Sequence, residues 1–591
     1  MQKTVGDHLL DRLSQWKIER IFGYPGDGIN GIMGALGRAA ERFDYIRVRH
    51  EEMSAFMACA HAKFTGQTGV CLATSGPGAI HLLAGLYDAR SDHQPVVAIV
   101  GQQAASSLGS DYQQEVDLQN LFQDVSAYVE TVMTPSQLPH VIDRALRIAA
   151  SERAVCTVII PNDIQQMPAV LEPVHKHGHV ASSVCTPLPR PWPADAELEK
   201  AAEILNAGRK VAILVGAGAL GATVPVMATA QALSAGVAKA LLGKMVVPDD
   251  LPYVTGAIGL LGTRASDDMM KQCDTLLMIG TTFPYSEFLP KVGQARAVQI
   301  DLQARNIGIR YPVESALIGD ATDTLQRLLP LVKRKAHGAW RKRIESAVQR
   351  SREELRAQAM VSAKPINPQR VFLELSSQLP ADAILCGDSG SHTNWYARHI
   401  DAGPGMLGSL SGKLASMGSG VPYAIAAKMA YPERPVIAMV GDGAMQMNGN
   451  AELVTVQQYC KRWSLPTFIV LVINNHDLNQ VTWEQRALAG DPEFSTAQEV
   501  IDFPYARYGE LLGFKGIRID HPEQLADAWR EALAADRPVV LECICDPDVP
   551  PLPPHISFDQ ARKLAQALLS RDPRAAGVLR ESLKQMLARK R

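Results

Sequence analysis

Short apolar runs recur along the chain, separated by longer stretches whose apolar positions repeat at helical spacing. Lys210-Val-Ala-Ile-Leu-Val215, Val436 to Val440 and Phe468 to Ile473 are runs of this kind. Strand-length runs alternating with helical patterns predict βαβ units and parallel sheets. The pattern falls into three blocks, about 1–175, 194–333 and 366–548, followed by a tail over 549–591. Thr186-Pro-Leu-Pro-Arg-Pro-Trp-Pro193 reads as a linker between the first two blocks, and a basic helical stretch, Lys333 to Gln358, leads to the third. In the tail, Ser557-Phe-Asp-Gln560 has the form of a capping box. Beyond it Val578, Leu579, Leu583, Met586 and Leu587 mark one face of a second helix. The predicted class is α/β: three doubly wound parallel-sheet domains and a helical C-terminal tail.

One echo runs inside the chain. Pro95-Val-Val-Ala-Ile-Val-Gly101 and Pro435-Val-Ile-Ala-Met-Val-Gly441 each follow a Gly-rich turn and a helix of small residues. Two similar strands can arise by chance; the sharper reading is two related domains flanking a different one.

Composition narrows the classes. The chain has 591 residues, 47% hydrophobic and 20% charged, which argues for folded domains over disorder. Lys and Arg number 59 against 61 Asp and Glu, a net of −2, which excludes a chain built around non-specific nucleic-acid binding. The average hides a local excess: residues 571–591 hold seven Lys/Arg and two Asp/Glu, a net of +5. Such a basic amphipathic terminus can lie on an anionic membrane or pack on a neighbouring subunit. The nine cysteines are scattered without a C-x-x-C, as expected of reduced core thiols in a cytoplasmic protein. No apolar signal core opens the chain, and no apolar run is long enough to span a bilayer.

The strongest chemical signal is Gly441-Asp442-Gly443 after the strand Val436 to Val440, with Asn474-Asn475 ending the next strand. Parallel strands bring both loops to one carboxyl edge, where ligands of open α/β sheets bind. Asp442 and an Asn side chain are hard oxygen donors able to hold Mg²⁺ against a diphosphate. The glycines admit phosphates close to the backbone, with the helix that follows presenting its N–H groups to them. A second copy, Gly26-Asp27-Gly28, lacks a long preceding strand and an Asn-Asn partner, and reads as a turn.

These residues resemble the thiamine diphosphate-dependent decarboxylase and oxidase family, over almost the whole chain. One departure is the spacing: thirty residues separate Gly443 from Asn474, more than is usual in the family. The resemblance implies thiamine diphosphate and Mg²⁺, with Asp442, Asn475 and the backbone carbonyl of Asp477 as metal ligands. It implies that Gly441, Gly443, Ala444 and Met445 line the diphosphate, joined by Ser391 and His392 from Asp388-Ser-Gly-Ser-His-Thr393. In Arg49-His50-Glu51-Glu52, Glu51 matches the glutamate that hydrogen-bonds N1′ of the aminopyrimidine. That role calls for a buried carboxyl with a raised pKa. Met417 matches the apolar wedge between the cofactor rings, and the carbonyl of Ala415 matches the acceptor of the 4′-amino group. A cofactor between the first domain of one subunit and the third of another makes a dimer the minimum unit, with a tetramer expected.

The middle block bears on the subfamily. Gly216-Ala-Gly218-Ala-Leu-Gly221 has the form G-x-G-x-x-G, but no acidic residue follows at the distance a nicotinamide site needs. Gly256-Ala-Ile-Gly-Leu-Leu-Gly262, Gly280-Thr-Thr-Phe-Pro-Tyr285 and Val298-Gln-Ile-Asp301 look like the flavin segments of pyruvate oxidases and quinone-linked pyruvate dehydrogenase. Gly259, Gly280, Thr281, Phe283 and Asp301 are the expected FAD contacts. Tyr112-Gln-Gln-Glu115 keeps the family glutamine at Gln114 but has Gln113 in place of the oxidases' phenylalanine. Asn479-Gln-Val-Thr-Trp483-Glu-Gln-Arg486 leans toward the acetolactate synthases, unless Trp483 simply caps the sheet. The implied activity is oxidative decarboxylation of a 2-oxo acid, pyruvate by default, with electrons passing through FAD to quinone or O₂. The alternatives are a carboligase of acetolactate-synthase type and a non-catalytic cofactor-binding protein.

Overall fold

In a computed structural model, residues 2–39, 41–184, 190–551, 553 and 557–589 are described. Cys185 and Thr186–Pro189 of the Pro-rich linker lie outside them.

The apolar runs become strands. The first six are β1 (Arg20–Gly23), β2 (Asp44–Arg47), β3 (Gly69–Ala73), β4 (Val96–Gln102), β5 (Tyr128–Thr131) and β6 (Val155–Pro161). They form one sheet in the order β2-β1-β3-β4-β6-β5, every pair parallel. Every residue of β3, β4 and β6 is buried, which is why these runs read as continuous rather than alternating. A two-stranded hairpin follows, β7 (Val174–His175) and β8 (Gly178–His179).

The second sheet holds β9 (Val211–Val215), β10 (Gly236–Lys239), β11 (Val254–Ala257), β12 (Thr275–Ile279), β13 (Arg296–Asp301) and β14 (Ser315–Ile318). Its order is β11-β10-β9-β12-β13-β14, the doubly wound order of dinucleotide-binding folds. The third sheet holds β15 (Ile384–Gly387), β16 (Leu407–Ser409), β17 (Val436–Gly441), β18 (Phe468–Asn474), β19 (Lys515–Ile519) and β20 (Val539–Ile544), ordered β16-β15-β17-β18-β20-β19.

Counted from its own first strand, the third sheet repeats the order of the first, whereas the second differs. The internal echo therefore pointed to the right pair of domains with the strands out of step. Pro95–Gly101 runs into β4, the fourth strand of its sheet, and Pro435–Gly441 into β17, the third of its own.

By contact density the chain divides into two compact units. One comprises residues 1–188, 409–438 and 446–466, the other 189–408, 439–445 and 467–591. No described helix is long and apolar enough to cross a membrane.

In the tail, Ser557 caps the helix Phe558–Leu569 through the expected box. The next helix, Ala575–Ala588, carries the expected apolar stripe with one member displaced. It buries Val578 with Glu581 and Gln585, while Leu579, Leu583, Met586 and Leu587 are exposed. Polar contacts orient it: Lys584 donates to Ser362 O (2.9 Å) and Gln585 to Gln358 O (3.3 Å), turning the apolar stripe outward.

Candidate active site

In the first unit, chemistry gathers around the turn Thr74–Gly78 that follows β3. Glu51 opens the helix Glu51–Thr65, and His50 caps it by accepting the Glu52 N–H. The Glu51 carboxylate faces the turn so closely that a Cβ on Gly78 would stand 3.2 Å from Oε1. Its Oε2 lies 3.0 Å from His81 Nδ1. Ligand-type atoms of His50, Glu51 and His81 all lie within 4.8 Å of one another, so carboxylate and imidazole can exchange a proton directly. Gln114, held at φ +61°, reaches the same turn and accepts from Ser75 Oγ at 3.4 Å. Gly76 sits at φ +58°, where a Cβ would meet Gln114 Cβ at 2.8 Å. The Gly26–Gly28 segment forms the expected turn and also supports the site, Gly28 N donating to Thr74 Oγ1 (3.0 Å).

The loop carrying Ala415 and Met417 belongs to this unit. Ala415 adopts φ +54°, a left-handed conformation costly for a residue with a Cβ. A buried polar network holds the loop's root. Ser411 donates to Asp88 (2.8 Å), and Ser416 N donates to Ser411 Oγ (2.9 Å). Tyr423 donates to Asp88, while the backbone N–H groups of Gly412 and Lys413 donate to Asp92. Lys63, on the helix that begins with Glu51, donates to Asp92 (2.7 Å) and to Leu410 O (2.8 Å). Burial disfavours its ammonium, but Asp88 and Asp92 outweigh that and hold its pKa above the ordinary value. The Glu51 helix and the Met417 loop are thus tied together by charge. Glu52 is structural, accepting from Asn448 Nδ2 at 3.2 Å.

In the second unit, β17 runs into the short helix Asp442–Ala444. Asp442 accepts three backbone N–H groups, from Gly443 (2.8 Å), Asn475 (2.9 Å) and His476 (2.6 Å). Burial pushes its pKa up to about 6 despite those donors, so a nearby cation would stabilise the ionised form. The side chain of Asn475 accepts the Asp477 N–H (3.1 Å), whereas Asn474 turns away to Glu542 (3.0 Å). Asp442 and the Asn475 amide oxygen are the hard donors at this edge. The Asp477 carboxylate is engaged elsewhere, by Arg574 (2.6 Å), Thr482 (2.6 Å) and Asn479 (2.9 Å). Its carbonyl accepts the Asn479 N–H at 2.6 Å, leaving one lone pair for a ligand.

Ser391 and His392 begin the helix Ser391–His399. His392 is buried and neutral, its pKa driven down to about 4 by burial, and its Nε2 has no partner among the described residues. A Cβ on Gly441 would stand 3.4 Å from its ring. The nearest ring atom is Nδ1, so the buried imidazole turns that edge to the bare Gly441 backbone, with the unpaired Nε2 farther off. Ala444 and Met445 are buried behind the same turn.

Three family models match in order. The thiamine pyrophosphate enzyme N-terminal TPP binding domain covers residues 3–121, the central domain 198–328 and the C-terminal TPP binding domain 388–543. YdaP of Bacillus subtilis (strain 168) is 35% identical over 572 residues, spanning 96% of each chain. The chain belongs to the thiamine pyrophosphate enzyme family. Other relatives of this thiamine pyrophosphate enzyme include pyruvate oxidase of Lactiplantibacillus plantarum, 31% identical over 95% of this chain and 91% of the relative. Acetolactate synthase isozyme 2 large subunit of Escherichia coli (strain K12) is 32% identical over 90% and 95%.

The middle domain of this thiamine pyrophosphate enzyme brings the expected flavin residues to the carboxyl edges of β12 and β13. Gly280 and Thr281 follow β12, and Asp301 ends β13. A Cβ on Gly259 would meet the Phe283 ring at 2.7 Å, so these two residues touch. At the switch point between β9 and β12 the backbone is closed, Gly218 N donating to Gly280 O at 2.9 Å. The Asp301 carboxylate accepts from Gln303 N and Asn306 Nδ2, both at 3.0 Å. Strand β10 ends at Lys239, paired with Asp249 at 2.5 Å, where a nicotinamide site would place an acid.

Sequence reasoning missed the ion pairs linking the tail to the loop after Asn475. Arg486 is fully buried and pairs with Asp572 (2.7 Å) and Glu493 (2.8 Å). Arg574 pairs with Asp477 (2.6 Å) and Glu493 (2.5 Å). Trp483 is buried, its indole donating to Pro547 O at 3.2 Å, and so serves the core.

Proposed function

We propose that this protein is a thiamine diphosphate- and Mg²⁺-dependent oxidase that decarboxylates a 2-oxo acid, pyruvate by default, and passes electrons through FAD to quinone or O₂. The observation that carries the reading is the Glu51–His81 pair on the Thr74–Gly78 turn, 3.0 Å apart in the domain matched by the N-terminal TPP binding family. Thiamine diphosphate supplies an electron sink for the carbon that loses CO₂. The chain's own residues do the rest. Glu51 would hold a proton at the aminopyrimidine N1′, His81 would exchange it with Glu51, and Met417 would sit between the cofactor rings. Asp442 and Asn475 would hold the metal against the diphosphate, with His392 beside it.

The oxidase reading rests on the match with pyruvate oxidase and on the flavin residues at the edges of β12 and β13. A homodimer is the minimum active unit and a tetramer the working form. The protein acts in the cytoplasm, its tail touching the inner membrane face through the exposed Leu579, Leu583, Met586 and Leu587. The similarity to acetolactate synthase supports one second reading, a carboligase. Product analysis with pyruvate separates the two. Acceptor reduction with one CO₂ per pyruvate supports the oxidase; acetolactate without acceptor reduction overturns it.

A further inference from the structure

A cavity of about 250 Å³ opens in the second unit; Gly262, the last residue of the flavin-type segment, lines it, but none of the named thiamine, metal or FAD contacts does. Its charged lining is Arg264, Arg398 and Arg589 against the single carboxylate of Glu354. Arg264 meets Glu354 at 3.3 Å on the exposed rim. Arg398 is the unusual member: it donates to Leu260 O (3.0 Å) through Nη2, and its Nε is buried without a partner. Burial lowers its pKa to about 9, and the like charge of Arg589 adds to the effect. Three guanidinium groups around one carboxylate leave a net positive wall that a bound anion would neutralise. Ser351 and Gln358 add neutral donors to the wall. An adjoining cavity of about 220 Å³ shares Arg264, Ser351 and Glu354 and extends to Arg350 and Asp268.

The guanidinium fork matches the oxygens of a phosphate, with charge-assisted bonds roughly twice as strong as neutral ones. The space admits a phosphoryl group with a short carbon chain and is too small for a dinucleotide. We propose that this cavity binds a small phosphate monoester at a site separate from the cofactors, with Arg398 as its central donor. Because it shares no residue with the catalytic assignment, it stands or falls apart from the proposed reaction.

The probe is inorganic phosphate, titrated calorimetrically into holoenzyme saturated with thiamine diphosphate, Mg²⁺ and, in a parallel series, FAD. One saturable event per chain is expected, its Kd raised about tenfold in Arg398→Gln. Arg264→Gln, at the rim, should weaken binding to a lesser degree and decides the matter if Arg398→Gln fails to fold. Phosphate binding unchanged by both substitutions would belong to another site and overturn the proposal. Loss of binding in the FAD-saturated series would assign the cavity to the flavin and overturn it equally.

Discussion

Arg574, in the C-terminal segment, donates to the Asp477 carboxylate at 2.6 Å, two residues beyond the Asn475 assigned to the metal. The same guanidinium reaches Glu493 at 2.5 Å, so the tail clamps both ends of the segment that follows β18. Groups that orient metal ligands typically matter about 10–100-fold for affinity. Arg574→Gln is expected to weaken Mg²⁺-dependent cofactor binding by at least about tenfold, read by quenching of tryptophan fluorescence. An unchanged affinity would show that the tail is a bystander.

The neighbouring pair, Arg486 and Asp572, is fully buried on both sides. Removing one partner strands a buried charge, a loss of about 3–5 kcal/mol. Asp572→Asn should lower the urea midpoint accordingly, and Arg486→Met with Asp572→Leu together should recover most of it.

Gly280 sits at φ +56°, and a Cβ there would come within 2.4 Å of the Gly218 backbone. Neither the angle nor the space tolerates a side chain. Gly280→Ala is expected to lose flavin absorbance while thiamine binding persists. Retained flavin at wild-type stoichiometry would remove this loop from the flavin site.

Glu452 is buried, accepts the Arg49 N–H at 2.8 Å, and has its pKa pushed up to about 7 by burial. A raised carboxyl favours the folded state while protonated. That contribution is full below about pH 4.5 and is lost as pH rises through 7, about 3 kcal/mol at most. Glu452→Gln should therefore flatten the fall in stability between pH 5 and 8, measured by urea unfolding at each pH. Parallel pH profiles for the two proteins would contradict it.

The α/β class was legible because buried parallel strands leave unbroken apolar runs, as in β4 and β18. Gly441-Asp442-Gly443 and Asn474-Asn475 were legible for the same reason: each directly ends a run. The choice of Asn475 over Asn474 came from the family resemblance and not from the pattern, since only the backbone path sends Asn474 to Glu542. His81 was invisible because its partner Glu51 lies thirty residues away. The tail's apolar stripe was legible from spacing, but the burial of Val578 apart from it was not, since that follows from the polar contacts of Lys584 and Gln585 that orient the helix. Residues distant in sequence but joined by charge, such as Arg574 and Asp477, leave no periodic trace.

Glu51→Gln removes the proton-carrying carboxylate at little cost in volume. A general acid–base group contributes about 10²–10⁴-fold, so kcat should fall by that much while thiamine diphosphate still binds. Near-wild-type turnover would displace Glu51 from the centre of the site.

The most direct measurement is the visible spectrum of the purified holoenzyme under anaerobic addition of pyruvate. The account predicts a flavin band that bleaches as CO₂ is released in the wild type and stays intact in Glu51→Gln. A bound flavin that keeps its absorbance while pyruvate is consumed to acetolactate would contradict it.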